Sequence, residues 1–240
     1  MKKLFFIQPI LLILCLQVFQ KNSFPQTVNE IIKKHFEAVN QAAFSNVKTI
    51  VIISEIIQPG GKIPVKTYIK RPDKIRIETI EDGKTSITAY DGKTGWCISP
   101  EDYGPIPTEL TGKSLDETKF MANLDGYFFC YKDRSLKTTL EGKEKILGKD
   151  AYKIKCNVSP TDSVFIFVDE NSFLILKVKQ PVHNGYKETF MSDYRKLNNM
   201  IFPFRFEIMT PYSRTFQIIK SIEFDKNIPD SFFSMPQKSS

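Results

Sequence analysis

From Thr49 to Phe224, with one interruption over residues 99–125, apolar residues recur at every second position in short runs broken by Gly-, Pro-, Asn- and Asp-rich turns. Period two places successive side chains on opposite faces of a strand, and such short turns can join only antiparallel neighbours. "TIVIISEII" (residues 49–57) stops at the Gln58–Lys62 turn. "IPVKTYIK" then sets Ile63, Val65, Thr67 and Ile69 against Lys66, Tyr68 and Lys70. After Arg71-Pro72-Asp73, "KIRIETI" sets Ile75 and Ile77 against Lys74, Arg76 and Glu78, and "EDGK" turns into "TSITAYD". The spacing predicts an antiparallel meander.

The stretch "ITAYDGKTGWCIS" (Ile87–Ser99) holds the chain's sole tryptophan and invites a functional reading. Gly92-Lys93-Thr94 lacks the upstream glycine of a phosphate-binding loop and leads into a strand, not a helix. Asp91-Gly92 is instead a hairpin signal, because glycine accepts the positive φ of the tight turn. Trp96 then reads as a sheet-face anchor, expected on the apolar side together with Ile98.

Thr27-Val28-Asn29-Glu30 has the form of a capping box, and Val28, Ile31, Ile32, Phe36 and Val39 follow at helical spacing, predicting an amphipathic helix to about Gln41. Its stripe could cover a cavity and act as a lid. "SPEDYGPIPTEL" (residues 99–110) reads as a loop, and "LTGKSLDETKFMANL" as a second helix with Leu110, Leu115, Phe120 and Leu124 as candidate contacts. Strands resume at "GYFFCY" (Gly126–Tyr131) and continue to "RTFQIIKSIEF". No linker or repeat divides the chain, so residues 27–240 are read as one domain of eleven to thirteen strands. A sheet that long must curl into a barrel or part-barrel, or split into a sandwich.

Residues 1–26 are set apart as an expected signal peptide. Lys2 and Lys3 precede a mostly apolar run from Leu4 to Phe19, and polar residues follow to Thr27. The run is short for a membrane span and contains Pro9. Cys15 follows Leu14 rather than a small residue, so a hydrophobic cysteine is favoured over a lipidated one. Removing this segment lowers the net charge from +7 to +4 and leaves Lys and Glu interleaved, which is no nucleic-acid footprint.

Cys97, Cys130 and Cys156 allow at most one bridge, and which of them would pair is open; their spacings of 33 and 26 match no zinc motif. His35 reads as a helix-surface residue and His183 as a turn residue, and no H-E-x-x-H or G-x-S-x-G occurs. The expectation is a protein without catalytic residues, metal or cofactor.

Several late strands carry large apolar residues on both faces. "VFIFV" sets Val164, Ile166 and Val168 against Phe165 and Phe167, and Phe202, Phe204, Phe206 and Ile208 form one row. Two readings follow, an ordinary core or a concave apolar face that holds an acyl chain beneath the helices.

The ordered series "TVNEIIKKHFEAV", "YIKRPDKIRIE", "AYDGKTGWCISP", "LEGKEKILGKDAYKIKC", "VDENSFLILK", "SDYRKLNNMIFPFRFEI" and "IPDSFFSMP" resembles the periplasmic outer-membrane lipoprotein-sorting protein family, the LolA-like superfamily, over roughly Thr27–Pro236. The resemblance implies a mainly β fold with α: an incomplete antiparallel β-barrel, a curled sheet of about 11 strands closed by helices over an apolar cavity. It further implies a non-enzymatic periplasmic carrier that binds acyl chains of lipoproteins or other lipids, with membrane proteins of a sorting pathway as further partners. The alternative is a periplasmic sensor or scaffold of the same fold that holds a protein partner. The residues expected at the cavity are Ile32, Phe36, Ile53, Ile77, Trp96, Phe129, Phe165, Phe167, Leu176, Phe204 and Phe206.

Overall fold

The computed structural model describes residues 26–101, 104–128, 137–157 and 163–237. The expected signal peptide, except Gln26, lies outside the described residues, as do Phe129 and Cys130. Helix α1 (Val28–Val39) begins at the expected capping box: Glu30 N–H donates to Thr27 Oγ1 at 3.3 Å and Thr27 N–H donates to Glu30 Oε2 at 2.8 Å. Asn40 stops it with a left-handed backbone (φ 56°), and its Oδ1 accepts from Ala43 N–H to start the short α2 (Gln41–Phe44).

Six strands follow: β1 (Thr49–Gln58), β2 (Gly61–Lys70), β3 (Lys74–Glu81), β4 (Lys84–Tyr90), β5 (Gly95–Ser99) and β6 (Gly104–Glu109). Helix α3 (Gly112–Ala122) and a 3₁₀ turn (Gly126–Phe128) separate them from β7 (Thr138–Ile146), β8 (Lys149–Asn157), β9 (Ser163–Asp169), β10 (Ile175–Val182), β11 (Gly185–Leu197), β12 (Met200–Met209) and β13 (Arg214–Phe224). A second 3₁₀ turn, Asp230–Phe232, follows β13.

All thirteen strands form one antiparallel sheet in the order β6-β5-β4-β3-β2-β1-β13-β12-β11-β10-β9-β8-β7. Two meanders are thus joined where the first strand pairs with the last, from Ile50 opposite Phe224 to Ile57 opposite Phe216. The sheet is curled but not closed, with β6 and β7 as its edges. Both edges resist further pairing. Pro105 and Pro107 remove two N–H donors from β6, and Glu141, Lys143, Glu144 and Lys145 put charge along β7.

Two sequence expectations are corrected. Residues 104–109, within the stretch read as a loop, form an edge strand, where the donors missing at Pro105 and Pro107 cost little. "GYFFCY" does not begin as a strand, since Gly126–Phe128 is a 3₁₀ turn with Phe128 buried.

Cross-strand register separates the two faces of the sheet. Gly95, Tyr90, Ile75, Ile69, Ile50 and Phe224 form one row across β5-β4-β3-β2-β1-β13. This is the helix face: a Cβ on Gly95 would stand 2.5 Å from Leu115 Cδ1 of α3. The adjacent row, Trp96, Ala89, Arg76, Tyr68, Val51 and Glu223, belongs to the opposite face. The Asp91-Gly92 hairpin has its expected form, with Lys93 and Thr94 N–H donating to Asp91 Oδ1 at 2.9 and 2.8 Å.

Candidate functional site

The helix face carries two apolar clusters. In the first, Ile31 and Ile32 of α1 are fully buried against Tyr152, Ile154, Val164, Ile166, Val168 and Val178, with Phe36 and Phe206 packed at the margin. In the second, Ile50, Ile69, Ile75 and Tyr90 meet Ala122 and Leu124 at the end of α3, with Phe44, Ile77 and Leu115 packed against them. Strand alternation explains why β-branched residues supply this layer, and the α1 stripe explains why the helix docks there.

An open cleft of about 740 Å³ adjoins the second cluster, lined by Arg71, Pro72, Asp73, Tyr90, Lys119, Phe120, Asn123 and Asp125. That volume falls within the usual range for a small-ligand site. Tyr90 belongs both to the cluster and to the cleft wall, and burial pushes its phenol up, with Asp73 and Asp91 adding to the shift. Lys119 holds its ammonium 5.8 Å from the Tyr90 ring centroid. Arg71 braces the rim: its Nε–H donates to Val47 O at 2.9 Å, and its Nη2 lies 3.3 Å from Phe44 O and 3.4 Å from Asp125 Oδ1. An apolar wall with ions of both signs at its rim suits an amphiphile. Among the described residues, no group of three or more His, Cys, Asp or Glu is placed to hold a metal, and no helix is long and apolar enough to cross a membrane.

His35 does not lie on the helix surface as expected from sequence. Its ring is buried under α1, 5.0 Å from the Phe128 ring, with Nδ1 2.7 Å from the Phe173 carbonyl in the β9–β10 turn. Because a carbonyl only accepts, Nδ1 carries the proton in the neutral ring. Desolvation lowers its pKa to about 4, against the upward pull of the Phe173 bond. The buried face of α1 is thus pinned to the sheet layer by one polar contact among apolar ones. Only its place at the edge of the α1 stripe could have signalled this.

The expected cavity residues divide between the two faces. Ile32, Phe36, Ile77 and Phe206 join the helix-face clusters, and buried Phe204 shares the Phe206 face by alternation along β12. Phe165, Phe167 and Leu176 pack instead with Ile146, Ala151 and Phe190, apart from the helices. Ile53 lies in register with Lys66, Glu78, Ile87 and Ile98, two places along from the Trp96 row, so it too faces away from the helices. Phe129 lies outside the described residues.

Trp96 is fully buried, yet on the face opposite α3. The segment after β13 covers it: Trp96 Nε1–H donates to Phe233 O at 2.8 Å, and Arg76 Nη1 donates to Phe232 O at 3.1 Å. Lys70 secures the same strap through Ile228 O at 2.7 Å and Asp230 Oδ1 at 2.6 Å. The expectation that Trp96 stands near a helix-covered cavity is therefore corrected. Alternation pairs Trp96 with Ile98 but does not say which face the helices take.

A family model described as an uncharacterized protein matches residues 131–237. No curated protein sequence matches the chain. Among solved structures, a DUF1329 family protein from Desulfovibrio piger is similar at 14% identity and a TM-score of 0.58, over 85% of this chain and 97% of that one. A LolA superfamily protein from Nitrosomonas europaea is similar at 14% identity and 0.58, over 88% and 98%. A domain named for outer membrane lipoprotein sorting, from Vibrio parahaemolyticus, is similar at 12% identity and 0.54, over 85% and 94%. The chain has the fold of the LolA superfamily, as the ordered sequence series implies.

Proposed function

We propose that the protein is a periplasmic carrier that binds an acyl chain of a lipid or lipoprotein on the helix face of its sheet, in the manner of outer-membrane lipoprotein sorting. The observation that carries this reading is the open cleft of about 740 Å³ whose wall residue Tyr90 is also part of the second apolar cluster. A chain that enters beside Tyr90 and Phe120 reaches the second apolar cluster through the shared residue Tyr90, while Arg71, Lys119, Asp73 and Asp125 supply the charged part of the cleft lining. Each buried methylene stabilises such a complex by about 0.8 kcal/mol, so a long chain is held without any chemical step. The carrier accordingly acts without a catalytic residue or cofactor. The fold supports the reading, because one of the similar structures is named as a LolA superfamily protein and another as an outer membrane lipoprotein-sorting domain.

Native mass spectrometry of the mature chain purified from its own periplasm tests it. The expected result is a population with lipid-sized adducts, displaced by added lysophospholipid and diminished by Tyr90→Ala. Bare protein that also fails to take up lysophospholipid would remove the carrier reading.

A further inference from the structure

The face opposite the helices holds a second hollow, of about 160 Å³, lined by Glu144, Lys153, Phe165, Phe167, Lys177, Lys179 and Tyr186. It is built across five neighbouring strands, β7 to β11, by strict alternation. Phe167 lies in register between Lys153 on one side and Lys177 on the other, and Lys179 stands opposite Phe165. The aromatic rings hold the ammonium groups: Lys153 is 5.2 Å from the Phe165 centroid, Lys177 4.3 Å from Phe167, and Lys179 4.1 Å from Tyr186. Cation–π attraction of this kind restrains long side chains that would otherwise swing into solvent.

Charge at the hollow does not balance. Glu188 serves both Lys177, at 3.3 Å, and Lys179, at 3.9 Å, while Glu144 reaches Lys153 at 3.6 Å. Three ammonium groups therefore share two carboxylates. Lys177 is only 7% exposed, and a buried charge is costly unless it is fully paired. A single anion placed among the three lysines would neutralise the site and use donors that the carboxylates leave over. Lysines act as point charges with three rotatable donors each, and a phosphoryl group offers enough acceptor oxygens to engage all three.

We propose that this hollow is a binding site for a phosphoryl group, borne by a lipid headgroup or present as free phosphate. It lies on the other side of the sheet from the acyl cleft and shares no lining residue with it. The rings of Phe165, Phe167 and Tyr186 offer an apolar flank to whatever carries the phosphoryl group.

Isothermal titration calorimetry on the mature chain at constant ionic strength tests the site, with inorganic phosphate, dihexanoyl phosphatidic acid below its micellar concentration, and dihexanoyl phosphatidylcholine as probes. Saturable binding of inorganic phosphate, of phosphatidic acid or of both is expected, weakened about tenfold or more by Lys153→Gln and by Lys179→Gln. Equal binding of inorganic phosphate and phosphatidic acid assigns the site to free phosphate, and preference for phosphatidic acid assigns it to a headgroup. Lys220→Gln, whose ammonium pairs with Glu55 at 2.8 Å outside the hollow, should leave binding unchanged. No saturable binding of inorganic phosphate or phosphatidic acid, binding that both lysine variants leave intact, or equal binding of the phosphatidylcholine would overturn the proposal. Lysophospholipid uptake at the acyl cleft is a separate readout and stands or falls on its own.

Discussion

The indole N–H of Trp96 donates to the backbone carbonyl of Phe233, 137 residues further along the chain, at 2.8 Å. This bond closes the strap over the face opposite the helices, where Phe232 also stacks edge-on against Tyr68 at 4.9 Å. Phe233 is fully buried, so Phe233→Ala is expected to cost about 3–5 kcal/mol in urea unfolding and to shift Trp96 emission to the red. Lipid bound at the helix-face cleft should leave that emission unchanged. A lipid-induced shift in a strap-intact protein would show that the two faces communicate, against this assignment.

How much of this was readable from sequence depends on what alternation can carry. Period two gave the strands and their turns, and the Thr27–Glu30 spacing gave the start of α1 with its hydrogen bonds. Alternation also grouped Phe165 with Phe167 and Ile166 with Val168. It could not say which group meets the helices, because both faces of this sheet are apolar. Near Trp96 the second face is buried by a strap contributed from the far end of the chain. Near Phe167 it is covered by Lys153 and Lys177, whose aliphatic stems and ammonium groups read as a solvated face in sequence. For this reason Ile53, Trp96, Phe165, Phe167 and Leu176 lie on the face away from the helices and not beneath them as expected.

Gly95 marks how closely α3 approaches the sheet. An added Cβ would lie 2.5 Å from Leu115 Cδ1 and 3.4 Å from Leu110 Cβ. Leu115 can swing away from a single methyl group, so Gly95→Ala is expected to be mild. Gly95→Val should cost about 1–3 kcal/mol, because the branched side chain also meets Leu110. The same variant should lift α3 and lower acyl-chain affinity at the adjoining cleft. Unchanged stability and affinity in Gly95→Val would mean that α3 is not packed on β5 as described.

His35 gives the fold a defined response to acid. Burial holds its folded pKa at about 4, below the ordinary value of 6.5, so the unfolded chain takes up the proton first. The neutral ring's contribution is therefore complete above pH 6.5 and is lost as the pH falls toward 4. The loss amounts to about 3 kcal/mol over that window. His35→Asn keeps a donor near the Phe173 carbonyl but cannot titrate. Urea unfolding of the two proteins at pH 7 and pH 4.5 should show the wild type losing more stability than the variant by about 2–2.5 kcal/mol, most of that loss. Parallel losses would place the titrating group elsewhere.

Ile31 and Ile32 of α1 are fully buried, Phe36 is only partly so, and His35 adds its bond to Phe173 O. Asn40 Nδ2 donates to Asn199 O at 3.1 Å just past the helix end. A helix secured by one narrow stripe and a few polar tethers can open locally at less cost than the sheet can unfold. If it serves as a lid, its amides should exchange early, and bound lysophospholipid should slow residues 28–40 more than the strands. Phe36→Ala should then speed that exchange and shorten acyl retention, with a global cost well under the roughly 3–5 kcal/mol of a fully buried phenylalanine. Exchange of residues 28–40 only through global unfolding, with and without lipid, would make α1 a fixed part of the core and remove the lid reading.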